Sequence, residues 1–249
     1  MRRLIFGISL ILGGEALAQE TCAEVGVIDN RPIGYLDHMG EPQGVHWDYM
    51  ALILQKSNIC HKSKLLPYSR IWQSLSLGDT DFSIAFSSPD KMNEFERVAL
   101  IREVQTVVIA RKGIALKSYD DLYGIRIGKT RGTKLSERFD HDDKLQILEL
   151  NDYQQVTKML LANRIDAIAG SGLVSTYQLA WNQALDIMDI SSKVVLGTRE
   201  QWLHMSKHSD FNVQAPLLAS TVERLRLSGE LDAIMDKHYD GINWREVNR

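Results

Sequence analysis

Apolar and polar residues alternate with two different periods along this chain, and the switches between periods mark out its elements. The clearest stretch is 67–91, PYSRIWQSLSLGDTDFSIAFSSPDK. Ile71, Trp72 and Leu75 recur there at helical spacing, Gly78 and Asp79 stop that helix, and Phe82, Ile84 and Phe86 alternate with small residues as a strand does. The unit reads strand, helix, strand. The pattern predicts strands over 23–28 and 64–66 around a helix over 47–55, then strands over 104–110, 125–129 and 145–150 and a helix over 152–161. Residues 163–169 repeat the turn, the aspartate (Asp166) and the buried strand of the earlier unit, ending in Gly170-Ser171-Gly172, so two halves built alike are expected. Strands over 194–197 and 201–205 follow, then an amphipathic helical region over 221–239, interrupted at Ser228-Gly229.

Polar residues cluster just after predicted strands, where open α/β sheets bind small ligands. Tyr68, Ser69 and Arg70 follow one strand, and Ser87, Ser88 and Lys91 follow the next. A second cluster, Thr130-Arg131-Gly132-Thr133, follows the strand over 125–129; a glycine-bearing turn between strand and helix exposes backbone N–H groups and forms a natural anion site. The alternative is that Gly132 only shapes a tight turn. Nothing in these stretches pairs a nucleophile with a base.

Residues 1–18 carry two arginines, an apolar run from Leu4 to Leu12 and a closing Ala16-Leu17-Ala18, the form of a secretory signal peptide cleaved after Ala18. The run is too short to span a bilayer, so a soluble exported protein of the periplasm is expected. In an exported chain Cys22 and Cys60 are expected to pair, because each stands at the start of a predicted strand and parallel neighbours would bring them to one edge; two buried thiols are the alternative. A net charge of −3 excludes a strongly basic nucleic-acid binder, and a 44% hydrophobic content with five prolines is ordinary for a globular chain.

One ordered set of motifs goes further. A strand is followed by Asn30-x-Pro32-x-x-Tyr35, Asp37-x-x-Gly40, Gly44-x-x-x-Asp48, a helix, and Leu75-x-x-Gly78-x-x-Asp81. This order resembles the family 3 periplasmic solute-binding proteins of ABC uptake systems. The resemblance implies a type II periplasmic-binding fold: two α/β lobes, each a mostly parallel sheet flanked by helices, joined by a two-strand hinge. Residues 19–110 plus 200–249 would form lobe 1 and 111–199 lobe 2, with hinges at 107–111 and 194–202. It further implies a monomeric receptor, not an enzyme, that closes on a small polar, anionic or amino-acid-like solute and delivers it to an inner-membrane ABC permease, with no cofactor, metal or nucleic acid. The alternatives are a cyclohexadienyl-dehydratase-type enzyme on the same scaffold, for which Asp29 and Asp90 are the nearest acids, or a ligand-sensing subunit.

Members of this family commonly hold an α-carboxylate with an arginine in a Thr-x-x-Arg turn and an α-ammonium with an aspartate after the lobe-two strand. Lys91 and Ser171 stand at the matching positions. Lysine lacks the planar fork and serine cannot neutralise an ammonium, so an ordinary amino acid fits poorly. Arg97 is the alternative to Lys91 for the carboxylate, and a solvated helical residue otherwise. The expected ligand set is therefore Asn30, Tyr35, Tyr68, Arg70, Ser87, Ser88, Lys91, Arg131, Gly132, Thr133 and Ser171. Tyr35 and Tyr68 would stack on a flat part of the solute, Arg70 would meet an anion or else pair with Asp79 or Asp81, and Trp72 would be core. His204 and His208 stand four apart, but a strand over 201–205 would break their shared face.

Overall fold

The computed structural model of the chain describes residues 21–86 and 94–247. The leader over 1–18 and the expected ligand residues Ser87, Ser88 and Lys91, with Asp90, lie outside the described residues. Strand β1 (Ala23–Ile28) leads through the short pair β2 (Tyr35–Leu36) and β3 (Pro42–Gln43) to helix α1 (Val45–Lys56), strand β4 (His61–Leu66), helix α2 (Tyr68–Leu77) and strand β5 (Phe82–Phe86). The long strand β6 (Phe95–Ala110) then opens a second series: β7 (Arg126–Thr130), α3 (Glu137–Asp140), β8 (Gln146–Leu150), α4 (Tyr153–Leu161), β9 (Ala167–Ser171) and α5 (Gly172–Trp181). A second long strand, β10 (Val194–Ser206), precedes α6 (Ala215–Leu227), α7 (Glu230–His238) and α8 (Trp244–Val247).

The main sheet runs β4-β1-β5-β10-β6-β9-β7-β8. β1 lies parallel to β4 and β5, and β7 parallel to β8 and β9, whereas β6 and β10 form an antiparallel ribbon between these two groups. Register decides what the groups do. Phe86, the last residue of β5, pairs with Gln201, which pairs with Arg102 of β6; Ser171, the last residue of β9, pairs with Thr106 of β6. The two parallel groups therefore point their carboxyl ends at each other across the middle of the ribbon. Helices cover both groups: α1, α6 and α7 pack with β1, β5 and the start of β6 in one apolar cluster, while Val156 and Leu160 of α4 and Val174 and Leu179 of α5 pack with Val107, Ile109 and Ile168 in another.

Cys22 and Cys60 form a disulfide, and Ala23 pairs with His61, so the bond clips β1 to β4 at their amino ends. Cross-linking residues 38 apart limits the unfolded chain by about 4 kcal/mol in the chain-entropy account. Trp72 is buried against Phe95 and His204, as a core position should be. His204 lies inside β10, so it shares no helical face with His208, and among the described residues no group of three or more His, Cys, Asp or Glu comes together to hold a metal. No helix among the described residues is long and apolar enough to cross a membrane.

Three expectations needed correction. The strand over 104–110 begins at Phe95, and those over 194–197 and 201–205 are one strand; charged residues such as Arg97, Glu103, Arg199 and Glu200 hide the alternation where the ribbon meets solvent. Arg97 thus stands on a strand, not a helix. Helix α5 was not foreseen, because Gly172-Leu-Val-Ser-Thr-Tyr is buried on every side and shows no polar stripe.

Candidate functional site

The converging strand ends enclose a cavity of about 250 Å³. Asp29 and Asn30 after β1, Pro67 and Tyr68 after β4, and Ala85 and Phe86 of β5 line it from one group; Thr130 and Arg131 at the end of β7, Asn151 and Asp152 after β8, and Ser171 of β9 line it from the other. Thr106, Arg199 and Gln201 of the ribbon lie between them.

Backbone geometry explains why this wall is polar yet ordered. Gly132 takes φ +74°, a left-handed conformation that costs glycine little, and reverses the chain after β7. The Thr133 hydroxyl donates to the Thr130 carbonyl at 2.6 Å, and the Arg131 amide to the Leu150 carbonyl at 2.8 Å. Beneath the turn, Lys129 is almost wholly buried; its ammonium donates to the Thr133 carbonyl at 3.2 Å and pairs with Asp140 at 3.4 Å and Glu149 at 3.3 Å. Asp140 in turn accepts from the Leu135 amide at 2.8 Å. The helix expected after this turn is one turn long, α3, capped by Ser136.

Asp152 caps α4, accepting from the Gln155 amide at 2.7 Å, so part of its acceptor capacity is used within the chain. The buried Tyr153 hydroxyl accepts from the Ser171 amide at 3.2 Å, and burial raises its pKa. That approach needs Gly170, where any Cβ would strike the Tyr153 hydroxyl. Ser171 caps α5, accepting from the Val174 amide at 3.4 Å.

His46 enters the wall from the first turn of α1. The Val45 and His46 amides donate to the Pro32 and Ile33 carbonyls at 2.8 and 2.9 Å, which docks the loop after β1 onto the helix end. Gly44, at φ +135°, permits this because a Cβ there would overlap the Ile33 carbonyl. His46 is 3% exposed. Burial pushes its pKa down to about 3, the Arg102 charge adds to that shift, and hydrogen bonding to Gln201 and the Ile84 backbone opposes it, so the ring is neutral at pH 7.

The charged lining residues are Arg131, Lys134 and Arg199 against Asp29 and Asp152, a balance that favours an anion. The Arg199 guanidinium donates to the Lys134 carbonyl and lies 5.6 Å over the Phe86 ring, joining the ribbon to the loop after β7.

No protein-family profile and no curated protein sequence matches the chain. Solved structures do. An ancestral arginine-binding protein bound to arginine aligns at TM-score 0.69 and 19% identity, covering 88% of this chain and 98% of that one. The arginine-, lysine-, histidine-binding protein ArtJ from Geobacillus stearothermophilus aligns at TM-score 0.70 and 16% identity, covering 92% and 100%. A histidine kinase sensor domain with similarity to periplasmic binding proteins aligns at TM-score 0.70 and 16% identity, covering 88% and 96%. The chain has the two-lobed fold of the periplasmic binding proteins. The motif resemblance is thereby borne out at the level of fold.

On this binding-protein fold the cavity falls at the cleft, and the structure sorts the expected ligand residues. Asn30, Tyr68, Arg131, Thr133 and Ser171 come together in its wall. Tyr35, Arg70 and Gly132 do not. The Arg31 guanidinium lies over the Tyr35 ring, 3.5 Å from its centroid, and over the Trp181 ring at 4.3 Å. Arg70 is exposed and bonds to Gln73 at 3.2 Å, not to Asp79 or Asp81. Gly132 supplies the turn without lining the cavity. Arg97 is also elsewhere, over Trp202 at 4.8 Å. Asn151 and Asp152 were legible by the same strand-end rule that found Thr130 and Arg131. Arg199 and His46 are not, the first because charged neighbours hide the alternation of its strand, the second because a lone histidine without ligand spacing reads as a surface or internally satisfied one.

Proposed function

We propose that the protein is a periplasmic solute-binding receptor that closes its two lobes on a small polar solute carrying a negative charge and presents the closed form to an inner-membrane ABC permease. One observation carries this reading: a cavity of about 250 Å³ at facing strand ends, with Arg131, Lys134 and Arg199 in its wall. That volume lies just below the roughly 300–1,000 Å³ range of drug-sized sites and suits a small metabolite. Ser171 stands where an aspartate would hold an α-ammonium, which argues against an ordinary amino acid, although Asp29 leaves room for an amino-acid-like zwitterion. We take residues 19–110 plus 200–249 and residues 111–199 as the lobes. Closure bends the β6–β10 ribbon, whose register shifts between Val195 and Gly197 and between Gln201 and Trp202 mark where it yields. The solute shifts a pre-existing open–closed equilibrium by its preference for the closed form. No bond is made or broken.

The test is native mass spectrometry of gently purified protein, followed by calorimetric titration with the released molecule. An anionic adduct is expected, and Arg131→Ala with Arg199→Ala should weaken its binding by a hundredfold or more, two charge-assisted hydrogen bonds being worth about 1.5–3 kcal/mol each. A cationic adduct, or a double variant that binds unchanged, overturns the reading. The likeness to a histidine kinase sensor domain favours a second role, in which the closed form is read by a signalling partner rather than a permease. An enzyme on this scaffold would draw its acid from Asp29, since Asp152 is engaged as a cap; turnover of a cyclic acid would reveal it.

A further inference from the structure

The cleft does not end at its main cavity. A recess of about 20 Å³ shares His46, Ser171 and Gln201 with the cavity wall and is lined besides by Arg102 and Tyr239. Two of its lining residues each carry a buried nitrogen without a hydrogen-bond partner among the described residues: Nδ1 of His46 and Nε of Arg102. Unmet donors and acceptors at this depth are rare in folded proteins, and each disfavours the folded state unless something meets it.

We propose that this recess is a hydroxyl subsite of the cleft, and that the solute is a small hydroxy acid whose hydroxyl oxygen lies between His46 and Arg102 while its carboxylate meets the cations of the main cavity. This rests on the receptor reading above and names its substrate class. Size decides first. A volume of about 20 Å³ admits a single oxygen atom and little else, so a second carboxylate, a phosphate or a primary amide is too large. Chemistry decides next. Arg102 Nε can only donate, whereas the ring nitrogen of a neutral imidazole accepts in one tautomer; a hydroxyl both accepts and donates and satisfies the pair. An ammonium only donates, so it leaves the Arg102 Nε–H unmet. That guanidinium is already committed to the Tyr49 hydroxyl and, at 3.6 Å, to Asp232, so the recess carries little unbalanced positive charge to draw a second anion. A burial-depressed pKa keeps His46 neutral for this role at any pH near 7.

Calorimetric titration with matched pairs tests the assignment: glycolate against acetate, L-lactate against propionate, 3-hydroxybutyrate against butyrate and L-malate against succinate, on wild type, His46→Phe and His46→Asn. At least one hydroxy acid is expected to bind tenfold or more tightly than its deoxy partner, because a site built around a hydroxyl rejects the analogue that lacks it. His46→Phe should bring that ratio to about one, whatever it does to the affinity of both acids together, and His46→Asn, whose amide can stand near the Nδ1 position, should keep part of the ratio. A purely structural His46 would lower the melting temperature of both variants and leave the ratio alone, which overturns the proposal. So does a ratio near one in wild type, or a crystal structure of the complex in which the recess holds only a water. Tight binding of deoxy acids alone sinks the hydroxyl subsite and leaves the anion receptor standing; no binding by either series at 10 mM sinks both.

Discussion

Lowering the pH from 7 to 5 asks two buried histidines to stay neutral while the same residues in the unfolded chain take up protons. Burial pushes His46 down to about 3 and His204 down to about 4 from the ordinary 6.5; for His204 the Arg97 charge adds to the shift and the Ala85 backbone opposes it. With the folded pKa below the unfolded one, the unfolded state binds more protons between these values. Stability is therefore complete above about 6.5 and falls as pH drops through that value, flattening only below the folded pKa. At pH 5 each ring sits about 1.5 units below its unfolded pKa, so at about 1.36 kcal/mol per unit each removes roughly 2 kcal/mol, together about 4. That is a large share of a typical folding free energy of about 5–15 kcal/mol. The carboxylates held below their ordinary 3.8, such as Asp48 and Asp166, lose their contribution only near and below that value, which leaves the pH 5–7 window to the histidines.

Urea unfolding followed by tryptophan fluorescence and by far-ultraviolet circular dichroism reads this directly. The midpoint should fall by roughly 1–2 M urea between pH 7 and 5. His204→Phe keeps a ring against Trp72, whose centroid lies 5.1 Å away, and should halve the pH-dependent loss. Equal stability at the two pH values, or a His204→Phe variant that retains the whole loss, refutes the account of both rings as buried and neutral.

Three further outcomes follow from the same structure. Replacing Cys22 and Cys60 together by serine should lower the unfolding free energy by about 4 kcal/mol, read as a drop in urea midpoint that reducing agent reproduces in wild type. Lys129→Met strands Asp140, whose side chain is 5% exposed, and should destabilise by about 3–5 kcal/mol in thermal or urea unfolding; a loss under 1 kcal/mol would mean that the ion pair does not hold the 130–135 turn. Gly170→Ala drives a methyl group into the Tyr153 hydroxyl and should cost about 1–3 kcal/mol, whereas Gly170→Ala combined with Tyr153→Phe should recover part of it, a coupling that a double-mutant cycle measures.

Which parts of this molecule were legible in the chain follows from where each residue's constraint comes from. β1 was bounded to the residue, and the helix ending at Gly78 was found, because local alternation and a left-handed glycine stop are properties of a few adjacent residues. The ribbon and α5 were obscured because their pattern is set by partners far away: β6 and β10 carry charges where they meet solvent, and α5 is enclosed on every face. The site divides in the same way. Asn30, Tyr68, Arg131, Thr133 and Ser171 were reachable from the rule that strand ends face ligands, and Tyr35, Arg70 and Gly132 satisfied that rule in sequence while the fold turned them elsewhere. A strand end fixes where the chain is but not where the next side chain points; Arg70 follows its strand by four residues and is carried onto the exposed side of α2. His46 and Arg199 are the converse, each set by a contact with another segment of the chain: Arg199 through the Lys134 carbonyl in the loop after β7, His46 through the Ile33 carbonyl beneath its amide. Residues whose position depends on contacts with another segment leave no periodic trace, and under the receptor proposal they are among the ones that would touch the solute.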